Sequence, residues 1–157
     1  MTDPEQSMSL HSQAKLGDDS FAAPRGKTIL VVDDYSSFCA VVAAILQPCG
    51  YHVLVASSGE EASAIAARED ETIDLLLTDI EMPQMCGDEL ADSFRAQKPM
   101  TPVLFMSCQA RAQKSIEPGH FLQKPFHAQE LISKVRDLLE PSSAASAENN
   151  SPSDHAN

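Results

Sequence analysis

The sequence lacks long apolar runs, and none approaches the roughly 20 residues that a helix needs to cross a bilayer. Its beginning, Met1–Gln6, is polar and acidic, unlike a secretory signal. Basic residues are scarce: 11 Lys and Arg stand against 23 Asp and Glu, and the formal net charge is −12. Binding to nucleic acid through its phosphates needs patches of Lys and Arg. We therefore expect a cytoplasmic protein that binds neither membranes nor nucleic acid and attracts cations or basic partner surfaces.

The sequence also lacks several common site motifs. It contains neither a Gly-rich phosphate loop nor a Ser/His/Asp triad. No two of its cysteines have the C-x-x-C spacing of a zinc site; the four are Cys39, Cys49, Cys86 and Cys108. Reduced thiols in a cytosol are the expected state of such cysteines.

The polar ends of the chain differ from its apolar middle. Residues 1–26 show no sustained period, and residues 141–157 are rich in Ser, Ala and Asn. Both are predicted to be disordered tails, because they carry too little apolar surface to offset chain entropy. One folded domain is therefore predicted over residues 27–140, which is long enough to bury a core.

Strand and helix patterns alternate within this domain. Short apolar runs predict five strands, at Ile29–Val32, His52–Ala56, Ile73–Thr78, Val103–Met106 and Phe121–Gln123. Apolar residues at helical spacing predict four helices, at 38–46, 58–67, 88–96 and 131–139. Ser58 and Glu61 form a predicted capping box at the second of these. The alternation predicts a doubly wound α/β fold with a five-stranded parallel sheet and helices on both faces.

Polar side chains follow or end four of the predicted strands. Asp33 and Asp34 come after the first, Asp79 after the third, Ser107 after the fourth and Lys124 after the fifth. In open parallel sheets, ligands bind outside the carboxyl ends of the strands. We therefore expect three carboxylates, a hydroxyl and an ammonium to meet in one crevice, a set that suits a divalent cation and a phosphoryl group.

The acidic pair suggests a magnesium site. Mg²⁺ takes oxygen ligands in an octahedron and keeps several waters. Asp33 and Asp34 with a third carboxylate from a neighbouring strand would supply part of that shell. The alternative for a lone Asp-Asp pair is a turn or a helix N-cap.

Asp79 is the candidate nucleophile, because an aspartate can form an acyl phosphate. Phosphoryl transfer depends mostly on positioning and positive charge, which Lys124 and the metal would supply, while Ser107 would donate to a phosphoryl oxygen. The alternatives are a turn cap for Asp79 and an exposed turn lysine for Lys124.

Four segments in this order resemble response-regulator receiver domains: Val31–Asp34, Leu76–Gly87, Val103–Ser107 and Phe121–Phe126. The resemblance covers about residues 27–140. The amino-acid sequences of the last two segments are most similar to those of receivers attached to hybrid histidine kinases. The resemblance implies a flavodoxin-like strand order, 2-1-3-4-5.

The resemblance also implies a role for each acidic residue. Asp79 would accept phosphate from the phosphohistidine of a histidine kinase or phosphotransfer protein. Asp34 would bind Mg²⁺ directly, Asp33 largely through water, and the backbone carbonyl of Glu81 would complete the protein ligands.

Three further residues would report the phosphorylation. By the resemblance, Lys124 would pair with the phosphoryl group, Ser107 would reorient toward it, and Phe121 would rotate inward into the vacated space. This is a local charge event that biases a two-state element.

Two features depart from the family pattern. Cys86 and Cys108 stand where Asp and Gly or Ala are usual; a redox effect on phosphotransfer is one interpretation, and small apolar space-filling is the other. Only 17 positions separate Ser107 from Lys124, several fewer than usual. The fourth helix is therefore predicted to be shortened or missing, with residues 110–116 forming one or two turns, and no oligomeric state is predicted.

We expect a stand-alone receiver in a phosphorelay, not an enzyme, that switches binding to a downstream protein. The polar stretch after Leu139 is too short for an effector domain. One alternative is a receiver-like binding module that does not use phosphate. Another is an aspartyl-phosphate hydrolase, in which Glu81, two residues after Asp79, would be the second acid.

Overall fold

The computed structural model describes residues 26–140. At its centre is a five-stranded parallel sheet in the order β2-β1-β3-β4-β5. The strands are β1 (Thr28–Val32), β2 (His52–Ala56), β3 (Leu75–Asp79), β4 (Val103–Ser107) and β5 (Phe121–Gln123). The predicted parallel sheet and its flavodoxin-like order are confirmed.

Within residues 26–140, four α-helices surround the sheet. They are α1 (Ser36–Leu46), α2 (Gly59–Ala66), α3 (Gly87–Gln97) and α4 (Ala128–Leu139). Between β4 and β5 the chain forms two 3₁₀ segments, Ala110–Ser115 and Pro118–His120, instead of a further α-helix. The prediction of a shortened or missing helix in this stretch is confirmed.

The sheet separates two apolar cores because successive residues of a strand point to opposite faces. On β1, Ile29 and Val31 join the core on one face, whereas Leu30 and Val32 join the core on the other. All five residues of β1 are buried, as are those of β3 and β4. Burial on both faces explains why these strands read as continuous apolar runs rather than as alternating ones.

The start of α2 follows the predicted capping pattern with one difference. The Ser58 hydroxyl accepts a hydrogen bond from the Glu61 N–H at 3.1 Å. The Glu61 carboxylate accepts from the N–H of Ser57, at 2.7 Å, and not from that of Ser58. The reciprocal half of the capping box therefore lies one residue earlier than predicted.

The third strand begins and ends later than the predicted Ile73–Thr78. Asp74 lies just before the strand: its N–H donates to the Thr28 carbonyl at 2.8 Å, and its carboxylate accepts from the Thr28 N–H at 2.9 Å and from Lys27 Nζ at 2.8 Å. At the other end, Asp79 still pairs with Met106 of β4. Asp79 is thus the last residue of a buried strand, which gives its side chain a fixed direction.

The two predicted disordered tails, 1–26 and 141–157, lie outside the described residues except for Gly26. Among residues 26–140, no helix combines the length and apolar content that a membrane span requires.

Candidate functional site

Backbone pairing brings the predicted site residues to one edge of the sheet. The Asp33 N–H, just after β1, donates to the Ala56 carbonyl at 3.2 Å. The Lys124 N–H, just after β5, donates to the Ser107 carbonyl at 2.8 Å. Ladder bonding therefore continues one residue beyond these strands, and the adjoining side chains are held rather than free in loops.

Three carboxylates cluster at this edge. One oxygen from each of Asp33, Asp34 and Asp79 lies within 4.8 Å of the other two. Asp33 and Asp79 are buried, and Asp34 Oδ1 is a buried atom without a hydrogen-bond partner among the described residues. A buried, unpartnered carboxylate oxygen costs free energy unless it binds a cation or donor. The donor set fits a hard, oxygen-preferring cation such as Mg²⁺.

Lys124 supplies the positive charge in the cluster. Its Nζ lies 2.5 Å from Asp33 Oδ2 and 3.2 Å from Asp79 Oδ1. The lysine side chain is only 12% exposed, so both ion pairs are shielded from water. The alternative of an exposed turn lysine is therefore wrong, and one ammonium bridges the first and third strands.

Burial and charge act in opposite directions on the acidity of these groups. Burial raises the pKa of Asp79, and the nearby Asp33 and Glu81 carboxylates add to the rise, although Lys124 opposes it. Burial alone would lower the pKa of Lys124, but its bonds to Asp33 and Asp79 outweigh this and raise it. The lysine therefore stays charged, and Asp79 is more basic than an exposed aspartate.

Asp33 is also fixed by the turn that follows it. Its Oδ1 accepts a hydrogen bond from the Tyr35 N–H at 2.9 Å, while Oδ2 accepts from Lys124. The N-cap residue of α1 is Tyr35, and its side chain makes no capping hydrogen bond. Asp33 therefore both stabilises the turn after β1 and belongs to the carboxylate cluster. Neither Asp33 nor Asp34 is the N-cap residue of α1, so the N-cap alternative is wrong.

Ser107 is buried at the end of β4 and is already hydrogen-bonded. Its Oγ donates to Glu81 Oε1 at 3.2 Å and accepts from the Gln109 N–H at 2.9 Å. The sequence predicted a backbone-carbonyl ligand or, in the hydrolase alternative, a second acid at Glu81, but not this contact of its side chain with Ser107. The position of Glu81, two residues beyond Asp79, was the available signal, but no sequence pattern specifies its partner.

Phe121 begins β5 opposite Phe105 of β4 and is only 3% exposed. It belongs to the apolar core that Ala112 and Ile116 of the β4–β5 connection also contact. Phe121 is therefore already buried in this structure.

An open cavity of about 780 Å³ lies over the cluster. Its walls combine acidic, basic, aromatic and sulfur-containing side chains: Asp34, Tyr35, Ser37, Phe38, Asp79, Glu81, Met82, Pro83, Cys108 and Lys124. Gly87 forms the back of the site, since a Cβ there would lie 2.2 Å from the Asp79 carbonyl oxygen. Only glycine leaves the Asp79 backbone in place.

The four cysteines are free. Cys108 is exposed and lines the cavity, whereas Cys86 is the N-cap residue of α3 and does not line it. Cys39 is buried, and burial raises the pKa of its thiol to about 11. Of the two cysteines that depart from the family pattern, Cys108 is therefore the one on the cavity wall.

Two aromatic residues of the site were missed from the sequence. The Phe38 ring lies below Lys124, with Nζ 4.2 Å from the ring centroid. Phe126 meets Phe38 edge-on, at a centroid distance of 5.7 Å and an interplanar angle of 77°. Helical spacing predicts Phe38 only as part of the apolar face of α1, because it cannot distinguish a core residue from one at a cavity wall.

Comparison with known proteins gives consistent results. The sequence model of the response regulator receiver domain matches residues 29–136. The transcriptional regulatory protein PhoP of Bacillus subtilis is 34% identical over 124 residues, covering 76% of this chain and 51% of PhoP. CpxR of Escherichia coli K12 is 33% identical over 116 residues, covering 71% and 48%. The chain spans about half the length of these curated relatives.

Solved structures agree. The receiver domain of the hybrid histidine kinase CckA is 36% identical, with a TM-score of 0.62, over 71% of this chain and 98% of that one. Response regulator TrrA of Thermotoga maritima, solved with Mg²⁺ and BeF, is 31% identical, with a TM-score of 0.64, over 72% and 99%. Receiver domains bind Mg²⁺ at an acidic pocket, which here is the cluster Asp33, Asp34 and Asp79. The chain belongs to the response regulator receiver domain family of two-component signalling.

Proposed function

We propose that Asp79 accepts a phosphoryl group from the phosphohistidine of a histidine kinase or phosphotransfer protein. The observation that carries the proposal is the placement of Asp79 Oδ1 3.2 Å from the Lys124 ammonium, at the wall of an open cavity. An incoming phosphoryl group would meet a basic carboxylate and a fixed positive charge together. Preorganised charge of this kind is the main catalytic resource in phosphoryl transfer.

The proposed transfer forms one bond and breaks another. A carboxylate oxygen of Asp79 bonds to phosphorus while the phosphorus–nitrogen bond of the donor breaks. The electron pair of that bond stays on the imidazole nitrogen, which takes a proton from solvent. The Lys124 ammonium would move from its ion-pair contact with Asp79 to a phosphoryl oxygen and keep its hydrogen bond to Asp33.

Asp33, Asp34 and the backbone carbonyl of Glu81 would hold Mg²⁺ with Asp79. A bound Mg²⁺ neutralises negative charge on the phosphoryl oxygens. The unpartnered Asp34 Oδ1 and the TrrA complex with Mg²⁺ and BeF support this assignment.

Phosphorylation would act on partner binding through Ser107. To donate to a phosphoryl oxygen, the hydroxyl must leave Glu81 Oε1, which lies 3.2 Å away. The Gln109 N–H donates to the same hydroxyl, so the loop that begins there would shift when Ser107 exchanges Glu81 for a phosphoryl oxygen. Because Phe121 is already buried, the response would be a repacking of Phe121 with its neighbours rather than an entry from solvent.

The experiment is incubation of the wild type with acetyl phosphate and Mg²⁺, followed by intact mass spectrometry. We expect a gain of one phosphoryl group that hydroxylamine removes. Asp79→Asn should gain none, and Asp92→Asn, which changes an exposed carboxylate outside the cavity, should react like the wild type. Equal modification of Asp79→Asn and the wild type would contradict the proposal.

The stand-alone character and the absence of nucleic-acid binding stay predictions. The relatives PhoP and CpxR are named transcriptional regulatory proteins and are about twice as long as the matched region. The proposal concerns the receiver and its phosphoryl donor, and it holds with or without an attached output domain.

Hydrolase activity is a second candidate because Glu81 lies on the same cavity wall as Asp79. An aspartyl-phosphate hydrolase needs a second acid that is free to protonate the leaving group. The Glu81 carboxylate accepts from Ser107, which supports the receiver instead. Multiple turnovers of p-nitrophenyl phosphate by the wild type, lost in Glu81→Gln, would favour the hydrolase.

A phosphate-independent binding module is the third candidate. The two 3₁₀ segments in place of a helix between β4 and β5 support it, whereas the intact carboxylate and lysine cluster supports phosphorylation. Partner binding that is the same for the wild type and Asp79→Asn, with and without acetyl phosphate, would favour this module.

A further inference from the structure

The ammonium of Lys124 packs on the face of an aromatic ring. Its Nζ lies 4.2 Å from the centroid of the Phe38 ring, within the range of a cation–π contact. On its other sides it meets Asp33 Oδ2 at 2.5 Å and Asp79 Oδ1 at 3.2 Å. The lysine head is thus held by two carboxylates and a ring face from α1.

The ring itself is held in place. Phe126 packs edge-on against Phe38, with centroids 5.7 Å apart. Both phenylalanines pack on the apolar core between the sheet and helices α1 and α4. Phe126 is two residues after Lys124 in the chain, so the segment that carries the lysine also fixes the ring beneath it. An aliphatic side chain at position 38 would fill space but would present no negative ring face to the ammonium.

The arrangement bears on what the lysine can do. An ammonium has three N–H donors on a flexible stem. With one N–H donated to Asp33, Asp79 in ion-pair contact and the ring on another side, the remaining freedom of the head is small. A preorganised cation stabilises developing charge better than one that must first be oriented.

We propose that Phe38 is a positioning residue for phosphoryl transfer, acting through Lys124 by holding the ammonium against Asp33 and Asp79. This inference rests on the proposed function, because it gives the ring a role in the same reaction. Phe38 does not need to touch the phosphoryl group.

The first test is a double-mutant cycle on the rate of phosphorylation by acetyl phosphate with saturating Mg²⁺. A desolvated cation–π contact accounts for roughly tenfold in rate or binding, so Phe38→Leu should slow the reaction about tenfold. Phe38→Tyr, which keeps an aromatic face, should restore the wild-type rate. In the Lys124→Ala background, Phe38→Leu should have no further effect, because coupled residues are not additive.

Controls separate positioning from packing. Ile45→Ala removes a partly buried side chain of α1 that contacts the same core, and it should lower thermal stability without slowing phosphorylation. Phe38→Met offers a second non-aromatic variant if Phe38→Leu folds poorly, as judged by circular dichroism. An equal slowing by Phe38→Leu with and without Lys124 would overturn the proposal, as would a slowing by Ile45→Ala as large as that by Phe38→Leu.

A spectroscopic test does not depend on the proposed function. Protons above a ring face shift upfield, so the Lys124 Cε protons of the wild type should resonate upfield in NMR spectra. The shift should persist in Phe38→Tyr and vanish in Phe38→Leu. An upfield shift that persists in Phe38→Leu would overturn the positioning proposal, even if the wild type is phosphorylated as proposed. A wild type that takes no phosphate but shows the shift would contradict the proposed function and leave the ring contact established.

Discussion

At the scale of single residues, Asp34 differs from the other two carboxylates. Asp33 and Asp79 each contact Lys124, whereas Asp34 Oδ1 is buried without a partner among the described residues. The Lys124 ammonium therefore forms ion pairs with two of the three clustered carboxylates. A divalent cation is the ligand that would satisfy the third and reduce the repulsion among all of them.

We therefore expect Asp34→Asn to weaken Mg²⁺ binding by at least about tenfold, in line with the loss of one charged ligand. Without Mg²⁺, the same change should leave stability unchanged or raise it, because it removes one of three like charges. Isothermal titration calorimetry and urea unfolding would measure the two effects. Wild-type Mg²⁺ affinity in Asp34→Asn would contradict this reading, and Asp92→Asn is the matched control.

Gly87 is constrained by sterics rather than by charge. A Cβ at this position would lie 2.2 Å from the Asp79 carbonyl oxygen and 2.9 Å from Ile80 Cα. Both obstacles are backbone atoms, which cannot move aside as the end of a flexible side chain can.

Gly87→Ala should therefore destabilise the fold by about 2 kcal/mol or more, the usual range for overpacking a buried site. Gly119→Ala is the control, because a Cβ there meets nothing within 4 Å, and it should be nearly neutral. Urea unfolding of the two variants checks the difference. Similar stabilities for both would show that the strand end at Asp79 yields more easily than its packing indicates.

At the scale of elements, α1 stands out because it carries no charge. From Tyr35 to Gly50 the chain contains no Asp, Glu, Lys or Arg. Tyr35 at its start is 69% exposed beside the cavity, and Val41, one helical turn beyond Ser37 of the cavity wall, is 55% exposed. The proposed phosphohistidine donor would approach Asp79 past this surface.

Val41→Asp should therefore slow phosphotransfer from a cognate histidine kinase while leaving the reaction with acetyl phosphate unchanged. A small donor does not need the helix surface, whereas a protein donor must bury it. Ala96→Asp, on the exposed side of α3, is the control and should leave both reactions unchanged. Equal rates of kinase transfer for wild type and Val41→Asp would exclude this face from the encounter.

The start of α2 gives a pH-dependent contribution to stability. Hydrogen bonds from the N–H and hydroxyl of Ser57 lower the pKa of Glu61 from its ordinary 4.5. A carboxyl whose pKa is lower in the folded state stabilises the fold above its unfolded pKa, and this is lost as pH falls through the folded pKa.

Glu61→Gln should therefore reduce stability at pH 6. Its effect should shrink progressively below about pH 4.5, where the carboxyl of the unfolded chain becomes protonated before that of the folded protein. Chemical denaturation of both proteins across this range checks the sign. A difference that grows toward acid pH would contradict it. Because Glu61 is exposed, the effect is expected to be small.

At the scale of the whole molecule, one physical property of buried parallel strands made both the α/β fold and the clustering of the site residues predictable from the sequence. Buried parallel strands are continuous apolar runs, and a polar residue at the end of such a run, as at Asp79 or Ser107, marks the edge where ligands bind. The 17 positions between Ser107 and Lys124 predicted a reduced helix only by comparison with the receiver domains that the chain resembles. The apolar runs and the polar residues at their ends, by contrast, are readable from the chain itself.

What the sequence did not reveal depends on side-chain partners far apart in the chain. The Ser107–Glu81 bond joins residues 26 positions apart, and the Phe38 contact with Lys124 joins α1 to the end of β5. Period and composition place Phe38 on a helix face but not beneath a particular ammonium. The buried position of Phe121 was also not predicted, because it depends on how the shortened connection packs through Ala112 and Ile116.

The hydrogen bond from the Lys124 N–H to the Ser107 carbonyl, 2.8 Å long, makes one amide proton a built-in reporter. It lies beyond the last paired residue of β5 and joins the strand end that carries the hydroxyl to the one that carries the lysine. If Ser107 moves when Asp79 is phosphorylated, this amide should change its rate of exchange with deuterium more than the amides inside β4. A single exchange rate would then follow the state of the receiver without any label attached to it.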